Sequence, residues 1–286
     1  MPELPELAAV VTHLADKAVG HTIASVDATA VSVVKTYDPA VSALEGCTIR
    51  AVSRHGKFLD IRADDLHLVI HLARAGWLRW SENLPAGRPK PTRSPLALRV
   101  KLTDGSGFDV TEAGTKKRLA VYVVHSPHDV PGVASLGIDP LSSEFTVDAL
   151  TRILAGRRTQ IKGVLRDQKL IAGIGNAYSD EILHAAKMSP FALAASIADE
   201  GVALLHTATV DILTHAVLRA RQAPLHRLKD AKRTGMRVHG RGGKDCEVCG
   251  DTIADVNFAD SSLQYCPTCQ TGGKLLADRR MSRLLK

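Results

Sequence analysis

Between Thr48 and Val124 the chain alternates apolar and polar positions. Leu66, Leu68, Ile70 and Leu72 are interleaved with His67, Val69 and His71, and Leu96, Leu98, Val100 and Leu102 with Ala97, Arg99 and Lys101. A period of two turns one face of each strand toward a core. Runs this short, broken by Gly56, by Asp104-Gly105 and by the Pro/Gly-rich residues 85–91, predict an antiparallel sandwich or barrel. Residues 4–18 depart from that pattern: Leu7, Val10, Val11 and Leu14 fall at helical spacing. Beyond the turn-rich residues 126–132 the period becomes 3.6. Leu150, Ile153 and Leu154 mark one helix, stopped by Gly156; Ile161, Val164 and Leu165 mark a second, and Tyr178, Ile182 and Leu183 a third. Ser196, with Asp199 three residues on, is placed to cap a fourth, long helix whose inner face would be Val202, Leu205, Thr209, Ile212, Leu213, Ala216 and Val217.

These periods divide the 286 residues into a β-rich part over 1–125, a linker at 126–140, a helical part over 141–235, a cysteine-bearing segment over 236–270 and a tail over 271–286. Hydrophobic residues at 45% and charged residues at 23% are those of a globular protein. No run approaches the roughly 18 consecutive apolar residues of a membrane span. The start, Met1-Pro2-Glu3-Leu4-Pro5-Glu6, is acidic and Pro-rich rather than signal-like. The expectation is a cytoplasmic protein.

Charge adds a partner. The net charge is +7, and between positions 219 and 244 nine basic residues face one acid, Asp230. A cluster this dense attracts a polyanion, with nucleic acid foremost, although a solvated basic face has the same composition. Basic residues also fill the tail (Lys274, Arg279, Arg280, Arg283, Lys286), which reads either as an electrostatic arm or, through Leu275, Leu276, Leu284 and Leu285, as a docked short helix.

Four of the five cysteines form two pairs, Cys246-x2-Cys249 and Cys266-x2-Cys269, separated by 16 residues. Each turn offers two thiolates at the bite a tetrahedral ion needs, so the four predict a zinc ribbon holding one structural Zn2+. Cys47, in a strand-like stretch, reads as a small core residue. The loop Gly173-Ile174-Gly175-Asn176 precedes the third helix. Two glycines and an Asn there suit a phosphate, and equally suit a glycine C-cap followed by an Asn N-cap. His67 and His71 share a strand face without a carboxylate or cysteine at ligand spacing, which points to hydrogen bonding or DNA rather than metal.

The opening hexapeptide, the Gly56-Lys57-Phe58 turn, the Gly-Ile-Gly-Asn-Ala-Tyr-x-Asp-Glu run at 173–181 and the ribbon ending Cys266-Pro267-Thr268-Cys269-Gln270 occur in order along the chain. Together they resemble the formamidopyrimidine-DNA glycosylase / endonuclease VIII family. The resemblance implies an α+β multidomain fold: an N-terminal antiparallel β-sandwich with flanking helices, a helix-two-turns-helix domain and the C-terminal four-cysteine zinc ribbon, with double-stranded DNA between the halves. It implies a monomeric base-excision-repair glycosylase and AP lyase acting on damaged bases or abasic sites, associated with the nucleoid. Pro2 would be the nucleophile once Met1 is removed, because a chain-terminal amine titrates near 8 and is partly neutral at neutral pH. Glu3 would shuttle protons, Glu6 support it, and Lys57 contact phosphate and assist elimination. Lys162, Asn176 and Arg157 would contact the DNA backbone.

Three positions depart from the family pattern. Ser261 stands where the zinc-finger hairpin carries an Arg, which puts δ-elimination in question. Residues 111–120 replace an Asp-Pro-Arg-Arg-Phe-Gly motif, leaving Lys117, Arg118 and Leu119 to fill the gap left by an extruded base. Arg74 replaces a wedge Met. Leu4 favours the formamidopyrimidine branch and hence oxidised purines. The altered wedge and the run Leu98-Arg99-Val100-Lys101-Leu102 favour an endonuclease VIII-like pyrimidine glycosylase, and Ser261 with the altered wedge a non-catalytic reader of damaged DNA.

Overall fold

The structure is a computed structural model, and it describes residues 1–85, 87, 89, 95–113, 117–258 and 261–277. The expectations for the tail beyond residue 277, for positions 114–116, for Asp260 and for much of 85–91 lie outside the described residues. The chain folds as two compact units, Met1–Leu136 with Val217–Lys229, and Gly137–Ala216 with the described residues from Asp230 onward.

The first unit opens with helix α1 (Leu4–Ala18). Pro5 fits the first turn, where a backbone N–H is not needed. Two antiparallel four-stranded sheets follow. One has the order β1 (Ile23–Ala28), β6 (Leu96–Leu102), β7 (Gly107–Glu112), β5 (Gly76–Ser81). The other runs β2 (Ile49–His55), β3 (Phe58–Ala63), β4 (Leu66–His71), β8 (Ala120–Val124). Leu98, Val100 and Leu102 of one sheet and Leu59, Ile61, Leu68 and Ile70 of the other enter a single core, closed by Leu7, Val10 and Leu14 of α1. The alternation seen in the sequence is therefore the inner faces of a sandwich. Cys47 is only half-buried against this core and its thiol donates to the Ala43 carbonyl, 3.4 Å away.

A short helix α2 (Pro131–Ala134) completes this part of the chain. The second unit is built from α3 (Val147–Leu154), α4 (Ile161–Arg166), α5 (Asn176–Ala185) and the first part of α6 (Asp199–Gln222). Thr146 caps α3 by accepting the Ala149 N–H at 3.1 Å. Ser196 does not cap α6: it lies in a 3-10 turn and its hydroxyl donates to the Leu193 carbonyl, so the helix begins at Asp199. Val202, Leu205, Thr209, Leu213, Ala216 and Val217 are buried as expected, and Ile212 only partly. The reading that nothing could span a bilayer needs correcting, since α6 carries an 18-residue window of mean hydropathy 1.4. One third of that window is buried: Val202, Leu205, Leu213 and Ala216 pack inward, while Leu204 and Leu218 are exposed. Helix α7 (Leu228–Thr234), the hairpin β9 (Ala254–Asn257) with β10 (Ser262–Tyr265), and α8 (Pro267–Thr271) complete the described chain.

Candidate functional site

In the first unit the helix start organises the acidic residues. Glu3 is the N-cap of α1 in a reciprocal capping box: its carboxylate accepts the Glu6 N–H while the Glu6 carboxylate accepts the Glu3 N–H at 2.7 Å. Both side chains are almost fully buried, at 2% and 1% exposure. Pro2 immediately precedes this cap, so its nitrogen lies at the positive end of a 15-residue helix dipole.

Lys57 occupies the two-residue turn between β2 and β3, where His55 pairs with Phe58 and Gly56 adopts φ +53°. A positive φ at the first turn residue alone is the mark of a type II′ hairpin, which is why glycine precedes the lysine. Lys57 is 8% exposed. Burial, and then the Lys57 ammonium, hold His71 below its ordinary pKa. The neutral imidazole lies 4.7 Å from the Phe58 ring. His67 donates or accepts at Asp60, 2.8 Å away, and His55 meets the same carboxylate at 3.1 Å. The carboxylate missing from the strand's own spacing is thus supplied by the neighbouring strand.

Arg74 is exposed in the tight turn between β4 and β5. Ala73 there adopts φ +50°, and Gly76 donates to the Leu72 carbonyl at 2.9 Å, with which a Cβ at position 76 would collide. A left-handed non-glycine residue costs of order 1 kcal/mol or more and marks a constrained segment. The other expected wedge segment is pinned from behind: the buried Glu112 carboxylate accepts the N–H groups of Arg118 and Leu119 at 2.7 and 3.0 Å. Lys117 and Arg118 are exposed, and the Lys117 ammonium donates to the Glu112 carbonyl. Leu119 is 2% exposed and belongs to the core, so the expectation that it fills a gap in DNA is corrected.

In the second unit Gly173 takes φ +94° and is held by Gln168, whose amide accepts the Gly173 N–H at 2.9 Å and donates to the Ile174 carbonyl at 2.8 Å. Asn176 opens α5; its Nδ2 donates to the Ser262 carbonyl of β10 at 2.8 Å, while Oδ1 is buried without a protein partner. Lys162, expected on the DNA backbone, is 5% exposed. Its ammonium donates to Asp180 Oδ1 at 2.5 Å, to Ser179 Oγ at 2.8 Å and to the Asn176 carbonyl at 3.2 Å. That amine braces the turn from inside instead of pointing outward. Arg157 is exposed, its Nε donating to the Ile153 carbonyl at 2.5 Å.

Sequence reasoning missed the polar core behind this turn. Asp180 also meets His239 Nδ1 at 2.7 Å, and Glu181 accepts the N–H groups of Arg237, Val238 and His239 at 2.8–2.9 Å. Burial pushes the Glu181 carboxyl above its ordinary range, while those three N–H groups act against that shift. The Asp-Glu pair is visible in the sequence only as part of a signature; its partners lie about sixty residues away. The four cysteine sulfurs lie within 4.8 Å of one another. Cys246 and Cys269 are 3.9 Å apart and Cys249 and Cys266 3.3 Å. Tetrahedral thiolates at about 2.3 Å from zinc have sulfurs about 3.8 Å apart, so the donor set fits that ion.

Against this geometry, three family models match in chain order. These are the formamidopyrimidine-DNA glycosylase N-terminal domain over residues 1–117, the formamidopyrimidine-DNA glycosylase H2TH domain over 136–224, and the zinc finger found in Fpg and IleRS over 243–272. The last agrees with the sulfur geometry, and the four cysteines form the site of one structural zinc ion. An uncharacterised formamidopyrimidine-DNA glycosylase-like protein of Mycobacterium tuberculosis is 56% identical, over 54% of this chain and 98% of its own. The formamidopyrimidine-DNA glycosylase of Symbiobacterium thermophilum is 34% identical over 98% of this chain and 93% of its own. Among solved structures, the Lactococcus lactis glycosylase bound to DNA containing an N7-benzyl-Fapy-dG superposes with TM-score 0.83 at 29% identity, covering 94% of this chain and 100% of that one. The same enzyme bound to DNA with an abasic site gives 0.81 at 28% identity, covering 94% and 99%. A match this continuous, from the capped α1 to the cysteine ribbon, means that the chain belongs to the formamidopyrimidine-DNA glycosylase family.

Proposed function

We propose that this chain is a base-excision-repair glycosylase and AP lyase that acts on double-stranded DNA carrying oxidised purines, formamidopyrimidines or abasic sites. The observation that carries this reading is Pro2 set against the reciprocal Glu3–Glu6 cap of α1. Removal of Met1 turns the Pro2 nitrogen from an amide into a secondary amine, and the helix dipole at that end favours the neutral, nucleophilic form. The amine attacks C1′, the glycosidic bond breaks, and the base leaves with a proton delivered through Glu3. The Pro2 nitrogen then loses its proton, the C1′–O4′ bond breaks as O4′ takes a proton from Glu3, and the open-chain iminium so formed acidifies C2′; loss of that proton breaks the C3′–O bond and nicks the strand. Lys57 steadies the phosphate beside the reacting sugar, and Glu6 holds Glu3 in place. Asn176, Arg157, Lys117, Arg118 and Arg74 meet the DNA backbone or the gap in the stack, with Lys162 positioning the Asn176 turn through Asp180. As in its bacterial relatives, this work belongs in the cytoplasm, on nucleoid DNA, and we infer a monomer.

Borohydride trapping on an abasic-site duplex tests the reading. A covalent adduct of the demethionylated protein whose trapped peptide carries the deoxyribose remnant on the Pro2 nitrogen supports it, and no adduct from protein whose intact mass proves Met1 removal overturns it. The burial of Leu119 favours a second reading, a clamp that binds damage without turnover, because it removes an apolar residue from the expected wedge. Tight, lesion-selective binding without an adduct is the outcome that reading requires. An endonuclease VIII-like preference would appear as excision of oxidised pyrimidines in a panel of single-lesion duplexes.

A further inference from the structure

Four thiolates outweigh the charge of the one zinc ion they hold, so a four-cysteine site leaves net negative charge on its sulfurs. Where such a sulfur is buried, donors of the protein must stand in for water. Cys246 is in that position: it is 3% exposed and packs with Val238, Ile253 and Cys266 in the apolar centre of the ribbon. The group that reaches it comes from outside the ribbon. His184, near the end of α5 and itself buried, places Nε2 3.4 Å from Cys246 Sγ. The other ring nitrogen decides the direction of this bond, because Nδ1 is buried without a protein partner. A proton on Nδ1 alone would leave that N–H unsatisfied and turn the Nε2 lone pair toward an anionic sulfur. A proton on Nε2 avoids both costs. It also makes a charge-assisted bond in apolar surroundings, where such bonds are strong.

We propose that His184 is an outer-sphere ligand of the ribbon's zinc, its Nε2–H donating to the Cys246 thiolate and holding that sulfur on the ion. Among the described residues, the donor atoms within 4.8 Å of one another are the four sulfurs and no histidine nitrogen, so His184 acts through Cys246 and not on the metal. It is a positioning residue. It also completes a stripe along α5: Asn176, Asp180 and His184 stand four residues apart and share one helix face. Each grips a different part of the C-terminal segment. Asn176 donates to the Ser262 carbonyl, Asp180 meets the His239 ring and the Gln264 N–H, and His184 reaches the metal site itself. One face of one helix thus joins the zinc to the turn that Asn176 opens. None of this depends on the reaction at Pro2.

Three measurements on the full-length protein test the assignment. In zinc-loaded protein with isotope-labelled histidine, the nitrogen shifts of His184 should show a protonated Nε2 and a bare Nδ1. A proton on Nδ1 with Nε2 bare overturns the proposal, and this reading needs no variant, so it stands even if a substitution fails to fold. With cobalt in place of zinc, the thiolate-to-cobalt charge-transfer band should move to longer wavelength in His184→Leu, because a sulfur that loses a donor gives up its electron more easily. His184→Gln, whose amide nitrogen can take the place of Nε2, should return the band toward the original. Zinc release to a chromogenic chelator should be about tenfold faster in His184→Leu, the lower end of the usual cost of losing an outer-shell partner, and close to the original in His184→Gln. Faster release in both variants with the cobalt band unmoved means that the ring only fills space, and overturns the proposal. So does a His184→Leu protein that matches the original in both band and release.

Discussion

The two units hold their sites in place by different physics. In the first, Phe108, Leu98, Val100, Leu68 and Ile70 are wholly buried in one sandwich core, and the ionisable groups of interest sit at element ends: Glu3 and Glu6 at the start of α1, Lys57 in a hairpin, Arg74 in a strained turn. In the second, an apolar core of Leu150, Ile161, Leu165, Ile182 and Leu205 is accompanied by several short elements. Helix α4 has six residues and β9 and β10 four each, and charged or polar side chains occupy the interior: Lys162, Asp180, Glu181, Gln264 and Gln270. Apolar packing is non-directional and tolerates a change that keeps volume; a buried polar network fails when one member is removed, because the desolvated partner remains. The short elements β9, β10 and α8 are tied by hydrogen bonds and by a metal as well as by apolar contacts.

Zinc removal should expose that contrast most strongly. Structural zinc contributes on the order of 10–16 kcal/mol of apparent folding energy to zinc-finger peptides. Chelation is expected to abolish hydrogen-exchange protection in the ribbon, in β10 and in the 237–239 segment held by Glu181, while the amides of β3, β4 and β6 stay protected. Protection lost equally in both units would break the comparison. DNA affinity should fall with the ribbon, and an unchanged affinity after verified zinc loss would count against the ribbon's part in binding.

Single substitutions come next. Phe108→Ala empties a fully buried aromatic site and should cost about 3–5 kcal/mol in urea unfolding. Asp180→Asn should cost a similar 3–5 kcal/mol for a different reason, since it strands the Lys162 ammonium in the interior. The double change Lys162→Met with Asp180→Leu separates the causes: removing both charges should recover most of the loss, whereas no apolar partner substitution repairs Phe108→Ala. If the double variant is no more stable than Asp180→Asn alone, the cost lies in the other bonds of Asp180, to His239 and Gln264.

What could be read from the sequence follows the same division. Helix α1, the strands around Leu68 and Leu98 and the cysteine ribbon are written in local periods and spacings, and they appear where those predict. The Lys162–Asp180 pair joins residues 18 apart on two helices, and Glu181 reaches backbone at 237–239; no period carries such a pairing. Leu119 misleads because its basic neighbourhood suggests an outward loop, whereas Glu112 anchors the backbone from within and turns the leucine into the core. Ser196 has the residue type of a cap but spends its hydroxyl on Leu193 one turn earlier.

Acid sharpens the comparison with the smallest effect. For Asp60 burial alone would raise the carboxyl's pKa, but hydrogen bonds from His55 and His67 outweigh it and hold the group below its ordinary 3.8. A depressed folded value contributes stability that is complete above the unfolded pKa near 4 and disappears as pH falls through the folded value. Glu181 has the opposite sign: its pKa is raised above 4.5, first by burial, so its contribution is complete below the unfolded value and is lost as pH rises through the folded one. Lowering pH from 6 to 3 should therefore weaken protection of the β3 and β4 amides, starting below about pH 4, while the α5 amides around Glu181 first gain. Asp60→Asn should flatten the first trend and Glu181→Gln the second. Parallel acid profiles in the two units, unchanged by either substitution, would show that these carboxylates do not govern the pH response of the folds they brace.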